Sequence, residues 1–236
     1  MNSYLLKLNS FIYFVLILFF IVQPLSLRAG YDFDGDGYTD EEEVANGYSP
    51  YNPEPIKFEQ SDMDGDGLND YWEREFKTDP FSADTDKDGY DDYQEIDQGF
   101  DPLSATGQRL AVSLEIDLKS QTMTYFLDNH PWQKWSVSTG RLGMSTPLGN
   151  FSIVNKSPKP WSKSYGLWMP YWLGLGGPGL RNGIIGIHEL PVWPGGYREG
   201  ENHLGQPVSH GCIRLGMGPA QYLYERVEVG TPVIIK

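Results

Sequence analysis

The chain has 236 residues, a formal net charge of −14 and a single cysteine. That acidity argues against a nucleic-acid partner, which calls for clustered Lys and Arg, and one thiol excludes an internal disulfide. The charge is also divided, with 24 acidic and 5 basic residues from Gly30 to Arg109 against 8 and 11 from Leu110 to Lys236. Two halves this different read as two domains, and the second is long enough for its own core.

In chain order, Lys7 precedes an uncharged apolar run, Phe11 to Val22 (FIYFVLILFFIV). Its length falls short of the roughly 20 residues that cross a bilayer. It suits the core of an export signal occupying residues 1–29, with a cut after Ala29. An uncleaved anchor is the alternative, and the absence of a following cysteine excludes lipoprotein processing. The rest of the chain is therefore expected outside the cytoplasmic membrane, in the periplasm or cell envelope.

Residues 30–104 carry one pattern three times: Asp32-Asp34-Asp36-Tyr38-Asp40-Glu43, Asp62-Asp64-Asp66-Leu68-Asp70-Glu73 and Asp84-Asp86-Asp88-Tyr90-Asp92-Glu95. Carboxylates stand at positions 1, 3, 5, 9 and 12, with glycine at position 6. Alternate side chains converge on one ion, glycine allows the turn, position 7 offers its carbonyl, and the glutamate closes the shell with two oxygens. Without a cation these carboxylates repel, so bound Ca2+ with a structural role is expected. Position 1 recurs after 30 and then 22 residues, and the first loop leaves no room for an incoming helix. The region resembles thrombospondin type 3 repeats or dockerin-like loops, with an EF-hand-like ligand spacing, more than paired regulatory EF-hands. That resemblance implies a calcium-stiffened spacer or an arm that binds a wall or envelope protein. A linker is expected at residues 105–109.

Over residues 110–236, Val112, Leu114, Ile116 and Leu118 alternate with polar residues, the period of a half-buried strand. Asp128-Asn129-His130-Pro131 reads as a turn, with a returning strand at Trp135–Thr139. Phe151–Val154, Ile184–Ile187 and Val233–Ile235 are further strands. One helix is expected, from Pro219 to Val227, with Ala220, Leu223, Tyr224 and Val227 on one face. The fold class is mainly β, with one C-terminal helix and long loops that carry function.

The lone thiol, Cys212, lies in Ser209-His-Gly-Cys-Ile-Arg-Leu215. A buried apolar cysteine is the plain reading. The setting favours a nucleophile: Gly211 permits close approach of a carbonyl, nearby amides can face an oxyanion, and a base is needed to activate the thiol. His188, at the end of the apolar strand, is preferred as that base over His210, which is too close in sequence to be assumed to face the thiol.

With Ser138-Thr-Gly-Arg141, Thr146–Phe151, Met169-Pro-Tyr-Trp172 and Gly205–Val208, this motif resembles the L,D-transpeptidase (YkuD-type) catalytic domain over residues 110–236. The resemblance implies a β-sandwich-like domain acting on peptidoglycan stem peptides, with no catalytic cofactor. Cys212 would attack the third residue of a tetrapeptide stem and release D-alanine, His188 would carry protons, and His210, Gly211 and Cys212 would form the oxyanion segment. Ser209, Arg214 and Tyr171 would serve the substrate, Arg214 either by holding a carboxylate or by ordering the loop. Glu189 stands where relatives commonly have glycine. The 24 positions from His188 to Cys212 exceed the usual spacing, so a lid-like insertion is expected around Trp193–His203, with His203 on its surface. Transfer to water instead of an amine, as an L,D-carboxypeptidase, and a calcium-dependent wall-binding protein are the alternatives.

Overall fold

The computed structural model describes residues 30–236; the expected export segment, residues 1–29, lies outside the described residues. Each acidic loop runs into a helix of seven residues: α1 (Asp40–Asn46), α2 (Asp70–Phe76) and α3 (Asp92–Gln98). Thr39 and Asn69 accept hydrogen bonds from amides of the first turn, and the acidic residues there suit the positive helix end. Left-handed residues end all three, at Gly47, Lys77 and Gly99. Sequence reasoning anticipated only one helix, because two turns of mostly acidic residues show no apolar stripe.

The second domain is built on an eight-stranded sheet, β1 (Val112–Asp117), β2 (Thr122–Leu127), β3 (His130–Ser136), β4 (Gly149–Ser157), β7 (Trp172–Gly176), β8 (Gly186–Glu189), β9 (Ile213–Leu215) and β10 (Pro232–Ile235). A two-stranded hairpin, β5 (Trp161–Ser162) and β6 (Leu167–Trp168), stands apart. The order in the sheet is β3-β2-β1-β10-β4-β7-β8-β9, and only the β1–β10 and β8–β9 pairs are parallel. Asp128 and Asn129 turn the chain from β2 to β3 with φ of 48° and 71°, the backbone that a two-residue hairpin turn requires. Beyond β3, Ser138 bridges to Arg214 of β9, so the two ends of the sheet approach one another and it curls towards a barrel. Helix α4 (Met217–Arg226) carries the chain from the edge strand β9 back to the central β10. The mainly β expectation, with a helix near the C-terminus, is met.

The core joins both halves. Leu114, Ile116, Met123, Tyr125 and Leu127 point inward from β1 and β2 and meet Ala220 and Leu223 of α4. Leu68, Phe76 and Ile96 of the repeats belong to the same cluster. Trp72 and Phe76 pack edge-on against Trp132 of β3, at 5.2 and 5.8 Å between ring centres. Asp97 of α3 accepts hydrogen bonds from Tyr222 Oη (2.9 Å) and Arg226 Nη2 (2.7 Å), and its carbonyl accepts from Arg226 Nε. The repeats are thus docked on the face of β2, β3 and α4, and share a core that their own composition could not supply.

Candidate active site

The site is assembled where β8 and β9 run side by side. Their register sets His188 opposite Arg214 and Ile187 opposite Ile213, which brings Cys212, one residue before β9, diagonally beside His188. Both line a cleft of about 670 Å³, together with His210, Arg214 and Trp172. His188 is buried, and its ring lies nearly parallel to Trp172 at 5.9 Å. Its Nδ1 lies 2.5 Å from the Glu189 carbonyl. That oxygen can only accept, so Nδ1 carries the ring proton and Nε2 keeps its lone pair. Burial, and secondarily the Arg214 charge, push the His188 pKa down to about 3. Burial raises the Cys212 thiol pKa, against the opposing effects of the Gly186 amide and Arg214. Both shifts favour the neutral thiol and the neutral imidazole.

The segment before Cys212 is braced from several sides. Ser209 is fully buried; its hydroxyl donates to the Cys212 carbonyl (2.6 Å) and accepts from the Gly211 amide (3.0 Å). The Gly211 amide is therefore spent inside the turn, whereas those of His210 and Cys212 find no internal acceptor among the described residues. Gly211 serves through its shape, with φ 112°, a conformation side chains rarely adopt. Thr146 Oγ1 donates to the Gly211 carbonyl (2.9 Å) and accepts from the Gly140 amide (2.9 Å). Ser209 also exchanges backbone hydrogen bonds with Thr139 and Arg141. His210 turns its ring onto Tyr165 at 4.7 Å and makes no hydrogen bond through it among the described residues. Tyr171 does not line the cleft: it takes φ 54° and packs on Tyr224 at 5.6 Å.

This arrangement of thiol, carbonyl-oriented histidine and flanking amides is what acyl transfer requires. Residues 111–235 match the L,D-transpeptidase catalytic domain. The chain belongs to that family. Among its relatives, the Bacillus subtilis protein YqjB, assigned to the L,D-transpeptidases, is 29% identical over 51% of this chain and 68% of its own length. YkuD of the same organism is 28% identical over 52% of this chain and 64% of its own length. Among solved structures, an L,D-transpeptidase from Mycobacterium smegmatis is 24% identical, covering 55% of this chain and 60% of that one, with a TM-score of 0.45. The chain spans about two thirds of the length of the curated relatives it matches.

In this L,D-transpeptidase domain one wall of the cleft is built on buried ion pairs. The segment between His188 and Cys212 folds back on the hairpin, Val192 bridging both Trp168 and Arg198. Arg198 reaches the buried Glu189 carboxylate, which accounts for a charged residue beside the histidine. Glu199, in the same segment, meets Arg214 Nη1 at 2.7 Å and His203 Nδ1 at 2.9 Å. Arg214 and Glu199 are each only 8% exposed. Nothing local in the sequence marked Glu199; only the contact, 15 residues along the chain, reveals it.

The repeat loops fit a cation. Residues 32–47, 62–83 and 84–105 match the bacterial TSP3 repeat, a calcium-binding type. In each loop the carboxylates at positions 1, 3 and 5 bring oxygens within 4.8 Å of one another. Among the described residues, Asp34 Oδ2, Asp64 Oδ2 and Asp86 Oδ2 are buried without a hydrogen-bond partner, as are Glu43 Oε2, both oxygens of Glu73 and Glu95 Oε2. Orphaned carboxylate oxygens converging in one place fit a hard cation. Desolvation, then neighbouring aspartates, push Glu73 up to about 9 and Glu43 and Glu95 to about 7. The position-7 residues Tyr38, Leu68 and Tyr90 are fixed by their amides on the aspartates at position 5. The aspartates at position 9 have another task. Asp40 accepts from the Phe33 amide, Asp70 from Met63 and Ser49, and Asp92 from Thr85, so they staple each loop to its helix.

Proposed function

We propose that this chain is a peptidoglycan L,D-transpeptidase acting outside the cytoplasmic membrane. Cys212 Sγ attacks the carbonyl of the third, diamino-acid residue of a tetrapeptide stem while its proton passes to His188 Nε2. The oxyanion of the tetrahedral intermediate meets the free amides of His210 and Cys212. Collapse expels D-alanine, whose nitrogen takes the proton from His188, and leaves a thioester. An acceptor amine then gives a proton to His188 and attacks the thioester, which regenerates the thiol. Ser209, Gly211 and Thr146 hold the loop in shape, and Arg214 orders it through Glu199. In the repeats, the aspartates at positions 1, 3 and 5, the position-7 carbonyls and Glu43, Glu73 and Glu95 would hold Ca2+, which supplies charge compensation and no chemistry.

The observation that carries this reading is the His188 ring fixed by the Glu189 carbonyl, in the cleft that holds the only thiol. Incubation with tetrapeptide stems and mass analysis should show D-alanine release and stem dimers, both absent in Cys212→Ala. Tripeptides without dimers would make water the acceptor, and the protein an L,D-carboxypeptidase. Full turnover by Cys212→Ala would end the proposal.

A further inference from the structure

The cleft contains two arginines, and only one of them is available to a ligand. Arg214, two residues after the nucleophile, is nine-tenths buried and delivers its guanidinium to the equally buried Glu199. The pair is internally neutral and forms part of the wall. Both histidines of the cleft have pKa values lowered by burial and by nearby arginines, so neither is a counter-charge at neutral pH. The remaining cation is Arg181, which lines the same cleft as Cys212, is exposed, and forms no ion pair among the described residues. It sits on the turn from β7 to β8, seven residues before His188. That turn is held in place: the Gly183 amide donates to Leu175 (2.8 Å) and the Ile184 amide to the Arg181 carbonyl (3.2 Å). Gly183 takes φ 70°, and a Cβ there would lie 2.6 Å from Asn155 Nδ2. The backbone that carries Arg181 is thus fixed against β4 and β7 while the exposed residue lines the cleft.

We infer that Arg181 is the specificity-determining residue that receives the C-terminal carboxylate of the acyl donor. The inference rests on the transpeptidase reading above and deepens it. In a tetrapeptide stem the residue expelled is also the last residue. Its carboxylate therefore lies one residue beyond the carbonyl that Cys212 attacks, close enough to share the cleft. A planar guanidinium matches a carboxylate with two parallel hydrogen bonds. A donor extended by one residue carries its carboxylate further away and forfeits that contact, so Arg181 selects stems whose fourth residue is terminal. Glu199 contributes by occupying Arg214, which leaves a single anion site in the cleft.

The test compares kcat/KM for D-alanine release from a tetrapeptide with a free C-terminus against alaninamide release from its C-terminal amide. Wild type should prefer the acid. Arg181→Ala should lower the acid-to-amide ratio by about 10–100-fold, the range of a charge-assisted contact, with the loss mainly in KM. Arg181→Lys should retain part of the preference. A ratio equal to wild type in an active, folded Arg181→Ala protein would overturn the assignment and leave the transpeptidase reading standing. Absence of turnover on both donors in wild type would overturn that reading, and this inference with it.

Discussion

Asp97 connects the third repeat to α4, and its removal should be felt in the catalytic domain. Asp97→Ala deletes the carboxylate that accepts from Tyr222 Oη and Arg226 Nη2. The side chains of Arg226 and Asp97 are 17% and 25% exposed, so the pair is mostly desolvated. Loss of a charge-assisted hydrogen bond costs about 1.5–3 kcal/mol, and partial exposure favours the lower end, about 2 kcal/mol. For a protein of this size that corresponds to a fall in Tm of about 4–8 °C. Bound cation would add stability by mass action, about 2.7 kcal/mol per site at a hundredfold excess over Kd. Part of that gain should reach the catalytic domain, because Asp97 lies two residues after Glu95, a proposed ligand. The assay is residual D-alanine release after timed heating steps, in saturating calcium and in excess chelator. Calcium should protect activity in wild type, and less so in Asp97→Ala. If heat inactivation is the same in both proteins and in both buffers, the repeats are a passive spacer and the coupling argument fails.

Three further outcomes follow from the site. Acylation should not fall as pH drops through 6.5: the His188 pKa is lowered to about 3, so the base stays neutral until far more acidic pH, and a pH–rate profile of acyl-enzyme formation by mass spectrometry checks this. His188→Ala should lower acylation by about 10²–10⁴-fold, whereas His210→Ala should cost far less; the reverse order, measured with the same donor, would exchange their roles. Gly140→Ala would place a Cβ 2.2 Å from the Met144 carbonyl and 2.5 Å from the Thr146 amide. Both are backbone atoms, so thermal unfolding should show a loss of about 1–3 kcal/mol or more, with activity reduced through the Thr146 brace on Gly211.

What the sequence revealed depended on how local the signal was. Strand β1 alternates cleanly and was legible, and so was Cys212, because its motif is contiguous. Strand β2 was missed since Phe126 blurs the alternation of Met123, Tyr125 and Leu127 with threonines. Strand β7 is buried throughout and interrupted by glycines, so it shows no period of two. The expected strand Ile184–Ile187 begins two residues later, at Gly186, since the preceding residues complete the turn that carries Arg181. His188 could be anticipated at a strand end, but its carbonyl partner needed the backbone path at Glu189. The docking of the repeats joins residues about 129 positions apart, and no window of sequence contains both partners. Glu199 and Arg181 gain their meaning only from the cleft they share.

The raised pKa of the Cys212 thiol has a consequence for its encounter with oxidants. Peroxides and disulfides react with thiolates and far more slowly with thiols. A permanently ionised cysteine would be exposed to mixed-disulfide formation and over-oxidation wherever no reducing pool protects it. Here burial favours the protonated thiol, and in the proposed mechanism His188 removes that proton as a carbonyl arrives to accept the electron pair. On the proposed mechanism the thiol is thereby protected by its own chemistry: its nucleophilicity would be expressed when a substrate fills the cleft and withheld from small oxidants when the cleft is empty.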